Sequence, residues 1–466
     1  MGINICAEIW YYMSMKEANS DISLKHIDVV DGIRAISVII VMIFHFWQQT
    51  WIFPIIKTPW LSFISIAGKP LTAIDFTPFA RAGYLFVDMM VLLSGFLLSL
   101  PLARCIFCSE KMQSLGSYFK KRAVRILPSY LFCIAVLFIY ESATGGYTSN
   151  GVYNTTYALR DLISHLTFTH MLSIDTYLAS KLDIVLWTLA VEVWYYILFP
   201  LIAFVILGTR KSRDGSKKHL VLCTCRLIVV AAAMVGISHL YIYKYVLASG
   251  SAFAVSADAF LKSIGSTVRS EYMSMTINQL PAFMGVYAVG LVGACVYTLA
   301  AKHLRRRAWL SIIGICAAVA FAVLTVKLIG DCASLSSEDA QVWQVTRRLP
   351  LALTFMGFIL SAAFAAKWFR FIFSNKLMVI LSGVSYNLYI WHQWLCVKLK
   401  FDWRLPAWTG DTPPNQLYTD FAETWKTQYA IIITVAAFAA AFAATYLIEK
   451  PAAKLLNGRM RSGIKK

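Results

Sequence analysis

Ten mostly apolar runs separated by clusters of Lys and Arg constrain this chain more than any other feature. The runs are Ala35–Phe53, Leu85–Leu102, Ile126–Tyr140, Ile184–Leu207, Leu227–Val246, Leu280–Ala301, Trp309–Leu328, Leu349–Ala366, Leu377–Val397 and Ala430–Ile448. Most are long enough to cross a hydrocarbon layer of about 30 Å as a helix. Backbone groups in lipid must pair within their own segment, so runs of this length predict helices rather than open strands. The third run is short and Pro128 sits near its start, so a longer or tilted helix is expected there. The basic clusters follow every second run, as in Lys120–Arg125, Arg210–Lys218, Lys302–Arg307 and Lys367–Lys376, and they recur in the tail from Lys450. The intervening connections carry acids, among them Glu141, Asp161, Asp175, Asp183, Asp331, Glu338 and Asp339. This bias puts the basic clusters and both termini in the cytoplasm. The expected fold is an all-α, polytopic membrane bundle of about ten transmembrane helices.

Composition narrows the function classes. Of 466 residues 59% are hydrophobic and 14% charged, where soluble domains carry about 25% charged residues. The net charge of +19 comes from the clusters between spans, and no stacking groove or nucleic-acid motif accompanies it. The opening MGINICAEIWYYMSM lacks the basic start and apolar stretch of a cleavable signal. Cys6 stands where a myristoylated Gly2 would want Ser or Thr. Cys105 with Cys108, and Cys223 with Cys225, lack a matching His/Cys set, so no metal is expected. Three parts are expected: a cytoplasmic segment 1–26, a transmembrane domain 27–455 and a basic cytoplasmic tail 456–466.

A few polar residues stand out inside the apolar runs. Arg34 and His45 lie eleven residues apart in DGIRAISVIIVMIFHFWQQ. On a helix they share one face, about 16 Å apart along the axis. Intramembrane ionisable residues mark function by default. A snorkelling Arg34 and a His45 bonded to a neighbouring helix are the plainer alternative. By the same topology Asp88, Glu192 and His392 fall at a depth similar to His45, and Ser94 lies near the middle of its span. Their convergence on one cavity is an expectation from depth.

The motifs resemble the acyltransferase-3 family of integral membrane O-acyltransferases. The R-x10-H pair follows Asp31-Gly32, and VDMMVLLSGFLLS (Val87 to Ser99) is similar to the family's VDLFFVLSGFL. YFKKRAVRILPSY carries the pair Arg122 and Arg125. In LWTLAVEVWYYILFP, Trp187, Glu192 and Tyr195 hold the marked places. SYNLYIWHQWL (Ser385 to Leu395) resembles SYSLYLWHWPL, and Ile448-Glu449-Lys450-Pro451 matches the ending of the family's last helix. Met89-Met90, Val193-Trp194 and Gln393-Trp394 depart from the usual residues. These changes bear on substrate fit more than on chemistry. No long hydrophilic tail follows Pro451, so the periplasmic esterase-like domain fused to some members is not expected.

The resemblance implies transfer of an acyl group, most often acetyl, from cytoplasmic acyl-CoA to a hydroxyl of a cell-surface or exported glycan. It also implies a bacterial inner membrane. Neutral imidazole suits the base or nucleophile, which points to His45. Direct transfer and an acyl-histidine intermediate both remain open. Arg34, Arg122 and Arg125 are expected to hold the phosphates of the donor, because guanidinium grips phosphate bidentately. Topology anchoring is the plainer reading of Lys120–Arg125. Asp88 or Glu192 would orient the base or hold the acceptor. Ser94 or His392 would stabilise the oxyanion, although Ser94-Gly95 also suits a small-residue helix contact. A multi-span transporter of a sugar or lipid-linked glycan is the rival reading, and a receptor or scaffold without catalysis is a third.

Overall fold

The computed structural model describes residues 27–52, 54–63, 65–66, 69–70, 72–208, 217–247, 269–304, 308–410 and 420–463. The expected N-terminal segment 1–26 and most of the Arg210–Lys218 and Lys302–Arg307 clusters lie outside these residues. The first described helix is α1 (Val29–Thr50), followed by short ladders of β1 (Ile55–Lys57) with β4 (Ala73–Asp75) and β2 (Ser65–Ile66) with β3 (Lys69–Pro70). Next come α2 (Thr77–Arg81), α3 (Phe86–Cys108) and α4 (Leu115–Ala143). A third small ladder, β5 (Thr148–Ser149) with β6 (Val152–Tyr153), leads to α5 (Thr155–Leu166) and α6 (Ile174–Tyr177). The remaining helices are α7 (Trp187–Leu207), α8 (Lys217–Ile242), α9 (Arg269–Ile277), α10 (Leu280–His303), α11 (Ala308–Ala333), α12 (Ser337–Phe364), α13 (Lys367–Ser374), α14 (Lys376–Val397), α15 (Asp420–Ala443) and α16 (Lys450–Gly463).

Among the described residues nine helical stretches are long and apolar enough to cross a membrane. The tenth expected span, Leu377–Val397, is present as the 22-residue α14. Its apolar character is diluted by Ser382, Ser385, Asn387, His392 and Gln393. The short third run proves to be the 29-residue α4, with Pro128 inside it. It begins far enough upstream to place Arg122 and Arg125 on the helix. The segment expected as a tail from residue 456 continues α16 as helix.

Burial sorts the helices. The α3 and α10 spans are the most buried, whereas α8 and α11 present most of their surface outward. The central pair comes close because small residues face each other. A Cβ on Gly290 would meet the backbone N of Phe96 at 2.8 Å, and one on Gly95 would meet the Tyr287 ring at 2.9 Å. Without a hydrophobic drive between helices in lipid, such close backbone approach supplies the packing. Around this pair α1 packs on α3, α13 and α14, and α14 packs on α15. Polar ties fix the ends. Arg370 pairs with Asp28 at 2.6 Å, and Ser382 Oγ donates to Asp31 at 3.2 Å. Asn387 Nδ2 donates to Glu449 at 2.7 Å and to Thr445 at 2.8 Å, which locks α14 to the end of α15.

The connection between α4 and α7 folds over one end of the bundle around a buried polar cluster. Asp161 accepts hydrogen bonds from Tyr147 Oη at 2.9 Å and from the backbone N of Lys181 at 2.9 Å. His165 pairs with Asp161, and its ring stacks on His170 at 4.0 Å. Burial, and then the stacked His165, hold His170 well below the ordinary imidazole value of 6.5. The folded state therefore prefers neutral His170, while the unfolded chain takes up a proton below about pH 6.5. The stability this supplies is present above that pH and is lost as pH falls below it. Thermal unfolding in detergent is expected to shift down by several degrees from pH 7 to pH 5. In His170→Phe that acid limb should flatten; an unchanged limb would remove His170 as its source.

Candidate active site

Two cavities approach each other inside the bundle. The inner one, about 100 Å³, is walled by Arg34 and Val38 of α1, Ser94 of α3, Arg122 and Arg125 of α4, Glu192 and Tyr196 of α7, Tyr287 of α10 and Tyr386 of α14. The outer one, about 400 Å³, holds His45, Trp47 and Gln48 of α1, Arg81 of α2, Trp187, Gln341, Gln344 and Gln393, among others. Val87 and Tyr389 line both cavities, so the two meet there. Arg34 and His45 share a helix face, as their spacing requires. They nonetheless serve different chambers, because the ten residues between them span the junction.

Arg122 and Arg125, three residues apart, both reach the inner cavity with Arg34. The Arg122 guanidinium lies 5.6 Å over the ring of Tyr196, and its Nε has no hydrogen-bond partner among the described residues. Opposite them Glu192 accepts a hydrogen bond from Ser94 Oγ at 2.5 Å and another from Tyr196 Oη. Glu192 thus spends both bonds in the inner chamber, whereas His45 lines the outer one. It sits among the arginines, tied down by two hydroxyls. Ser94-Gly95 turns out to divide its labour: Gly95 admits α10, and Ser94 faces the cavity.

The imidazole of His45 has a partner that is not a carboxylate. His392 Nε2 lies 2.9 Å from His45 Nδ1. His392 Nδ1 faces the carbonyls of Leu388 at 3.1 Å and Tyr389 at 2.7 Å. Carbonyls only accept, so Nδ1 of His392 carries a proton, and with both rings neutral its Nε2 must accept. His45 then donates from Nδ1, which leaves its Nε2 as the nitrogen with a lone pair. The hydrogen-bond network assigns this tautomer. His392 was expected to stabilise an oxyanion; its free nitrogen is instead engaged with His45.

Asp88 departs furthest from expectation. It is fully buried outside both cavity walls, paired with Arg348 Nε at 3.1 Å and bonded by Gln344 Nε2 at 3.4 Å. Arg348 in turn donates to the carbonyl of Ile277 at 2.9 Å and lies 4.0 Å over the ring of Phe283. The reason lies in α12, which begins twelve residues before the span drawn at Leu349 and so carries Arg348 into the bundle. The expected meeting of His45, Asp88, Glu192 and His392 thus separates into a histidine pair, a carboxylate among arginines, and a buried ion pair.

Sequence reading passed over several wall residues. Tyr195, the marked tyrosine, is buried and stacks on Tyr287 at 3.5 Å, and it is Tyr196 that bonds Glu192. The i,i+4 spacing of Glu192 and Tyr196 was the available signal. Arg81 and the amides of the outer chamber carried no motif at all.

Comparison with known proteins places this architecture. The acyltransferase domain family model matches residues 27–450. A Staphylococcus aureus (strain COL) protein named "Putative O-acetyltransferase SACOL0978" is 21% identical over 375 residues, covering 79% of this chain and 50% of that protein. The O-acetyltransferase OatA of S. aureus (strain NCTC 8325 / PS 47) is 24% identical over 194 residues, 41% of this chain and 27% of its own. The chain thus spans about half the length of the first of these relatives and less of the second. No solved structure matches. With the family model covering nearly all of the helical bundle, the chain belongs to the acyltransferase-3 family of acyltransferase domains.

Proposed function

We propose that the protein moves an acetyl group from cytoplasmic acetyl-CoA to a hydroxyl of a cell-surface or exported glycan. The observation that carries this reading is the pair of chambers meeting at Val87 and Tyr389, one holding three arginines and the other His45 with its Nε2 unprotonated. Arg34, Arg122 and Arg125 bind the anionic end of the donor. Its pantetheine arm leads the thioester toward the junction. Nε2 of His45 takes the proton of the acceptor hydroxyl as the oxygen attacks the thioester carbonyl. The C–S bond breaks, and the departing CoA thiolate takes that proton from the imidazolium. His392, accepting from Nδ1–H, keeps the ring in the tautomer that this needs. O-acetyltransferase is also the activity named for both relatives. The positive-inside bias of the basic clusters supports a cytoplasmic position for the arginine chamber.

CoA release from acetyl-CoA by the purified full-length chain, with and without glycan acceptors, tests the reading. Acceptor-dependent release is expected. Passage of sugar across sealed vesicles without CoA release would favour the transporter instead. Arg122→Lys with Arg125→Lys should raise the KM for acetyl-CoA about tenfold, since Lys keeps the charge but loses the two-pronged grip. Membrane orientation should not change, because Lys serves the charge rule equally. An unchanged donor KM would return both residues to topology anchoring.

A further inference from the structure

The outer chamber has a one-sided charge. No carboxylate stands among the described residues lining it. The nearest acid on α3, Asp88, lies behind the wall and is already paired with Arg348. Much of the wall is apolar, and among the described residues its polar part is made of amides, hydroxyls, indoles, His45 and one permanent cation, Arg81, at the end of α2. The guanidinium of Arg81 lies 5.9 Å over the ring of Trp47 and forms no ion pair among the described residues. At about 400 Å³ the chamber has room for a saccharide unit.

We propose that this chamber is the acceptor site and that it selects an anionic saccharide, whose carboxylate or phosphate pairs with Arg81 while a sugar ring lies against Trp47 and Trp187. The proposal rests on the acetyl-transfer reading and names its acceptor class. Each part of the chamber has a task. Arg81 offers a planar fork to a carboxylate or phosphate oxygen pair. The indoles give apolar surface to the C–H face of a sugar. No acid lines the wall among the described residues, so repulsion of an anionic ligand is left to exposed Asp339, which the lining Ser336 Oγ bonds at 2.7 Å. Arg81 is exposed, so its attraction acts at the mouth and weakens with salt.

The test uses the full-length chain in zwitterionic nanodiscs. A glucuronate-containing disaccharide, a phosphorylated disaccharide and a neutral glucose disaccharide are titrated, and acetyl transfer is followed in the same samples. At low salt the better of the two acidic probes should bind about tenfold more tightly than the neutral one, and the advantage should shrink as salt rises. Which acidic probe leads identifies the anion. Arg81→Gln should bring the preference close to unity, acting on KM more than on kcat, and Arg81→Lys should restore part of it. Equal binding of neutral and acidic probes, or a preference that survives Arg81→Gln, overturns the proposal. So does loss of the preference in nanodiscs of anionic lipid, which would make a lipid headgroup the occupant. Binding is read apart from turnover, so the two readings fail separately. Arg81-dependent binding without CoA release would remove acetyl transfer and keep the site. Transfer indifferent to acceptor charge and to Arg81 would do the reverse.

Discussion

His45→Ala is expected to lower acetyl transfer by at least about a hundredfold, and up to about ten-thousandfold, the range that a positioned general base contributes. The protein should still insert and purify as a single species, because His45 is only half-buried and lines a cavity. CoA release in the presence of acceptor, measured on the purified variant, reads the effect. Retention of more than about a tenth of wild-type turnover would show that His45 is neither base nor nucleophile. The second imidazole sharpens the test. His392→Phe removes the side-chain acceptor for Nδ1–H of His45, so the ring, still bonded to the Val41 backbone, is less firmly held in this tautomer and more readily places its proton on Nε2, losing its lone pair there. His392→Gln offers an amide oxygen on a side chain of similar reach. Turnover should therefore fall about a hundredfold or more in the Phe variant, and the Gln variant should recover about tenfold of it. Equal losses in the two would mean that His392 packs rather than positions.

The second large effect is on stability. Arg348→Met leaves Asp88 as an unpaired charge in a fully buried position and is expected to cost about 3–5 kcal/mol. Asp88→Leu alone should cost a comparable amount by stranding Arg348, which is 2% exposed. The double variant replaces the pair by apolar volume and should recover most of the loss, because a buried ion pair and a well-packed hydrophobic pair often differ little. Unfolding of the four proteins in the same detergent gives the coupling energy directly. Turnover per folded molecule of the double variant separates structure from chemistry. A value within about tenfold of wild type fits a structural pair. A drop as large as that of His45→Ala would put Asp88 back into the reaction.

The bundle itself was largely legible in the sequence. Length and hydropathy mark the helices because lipid leaves the backbone few alternatives. Inner-chamber residues were legible too: Arg34, Arg122, Arg125, Glu192 and Ser94 line one cavity. Depth along a span, however, is one coordinate out of three. It put Asp88 level with His45 but could not show that Asp88 turns toward α12 and Arg348. Nor could it divide one cavity into two, since Val87 and Tyr389 are an ordinary valine and tyrosine within their runs. Pairings that decide the chemistry, His45 with His392 and Glu192 with Tyr196, link helices or turns through side-chain direction. Span boundaries erred where the chain breaks its own apolar pattern. The span drawn from Leu349 stops short of Arg348, whose charge ends an apolar window, whereas its buried partner Asp88 lets the helix carry on through it.

The polarity of α14 has a consequence for biosynthesis. A segment with Ser382, Asn387, His392 and Gln393 enters lipid reluctantly on its own. Its favourable contacts are on α1, synthesised more than three hundred residues earlier, and on α15, synthesised after it. While the ribosome is still adding the middle of the chain, α1 must wait in the bilayer with Arg34 and His45 lacking the helix that will cover them. Chains cut short before Lys376 would leave that polar stripe facing lipid, a signal that membrane quality control can read. Maturation is therefore decided by the last third of the chain, and truncated products should be degraded rather than accumulate as partly active enzyme.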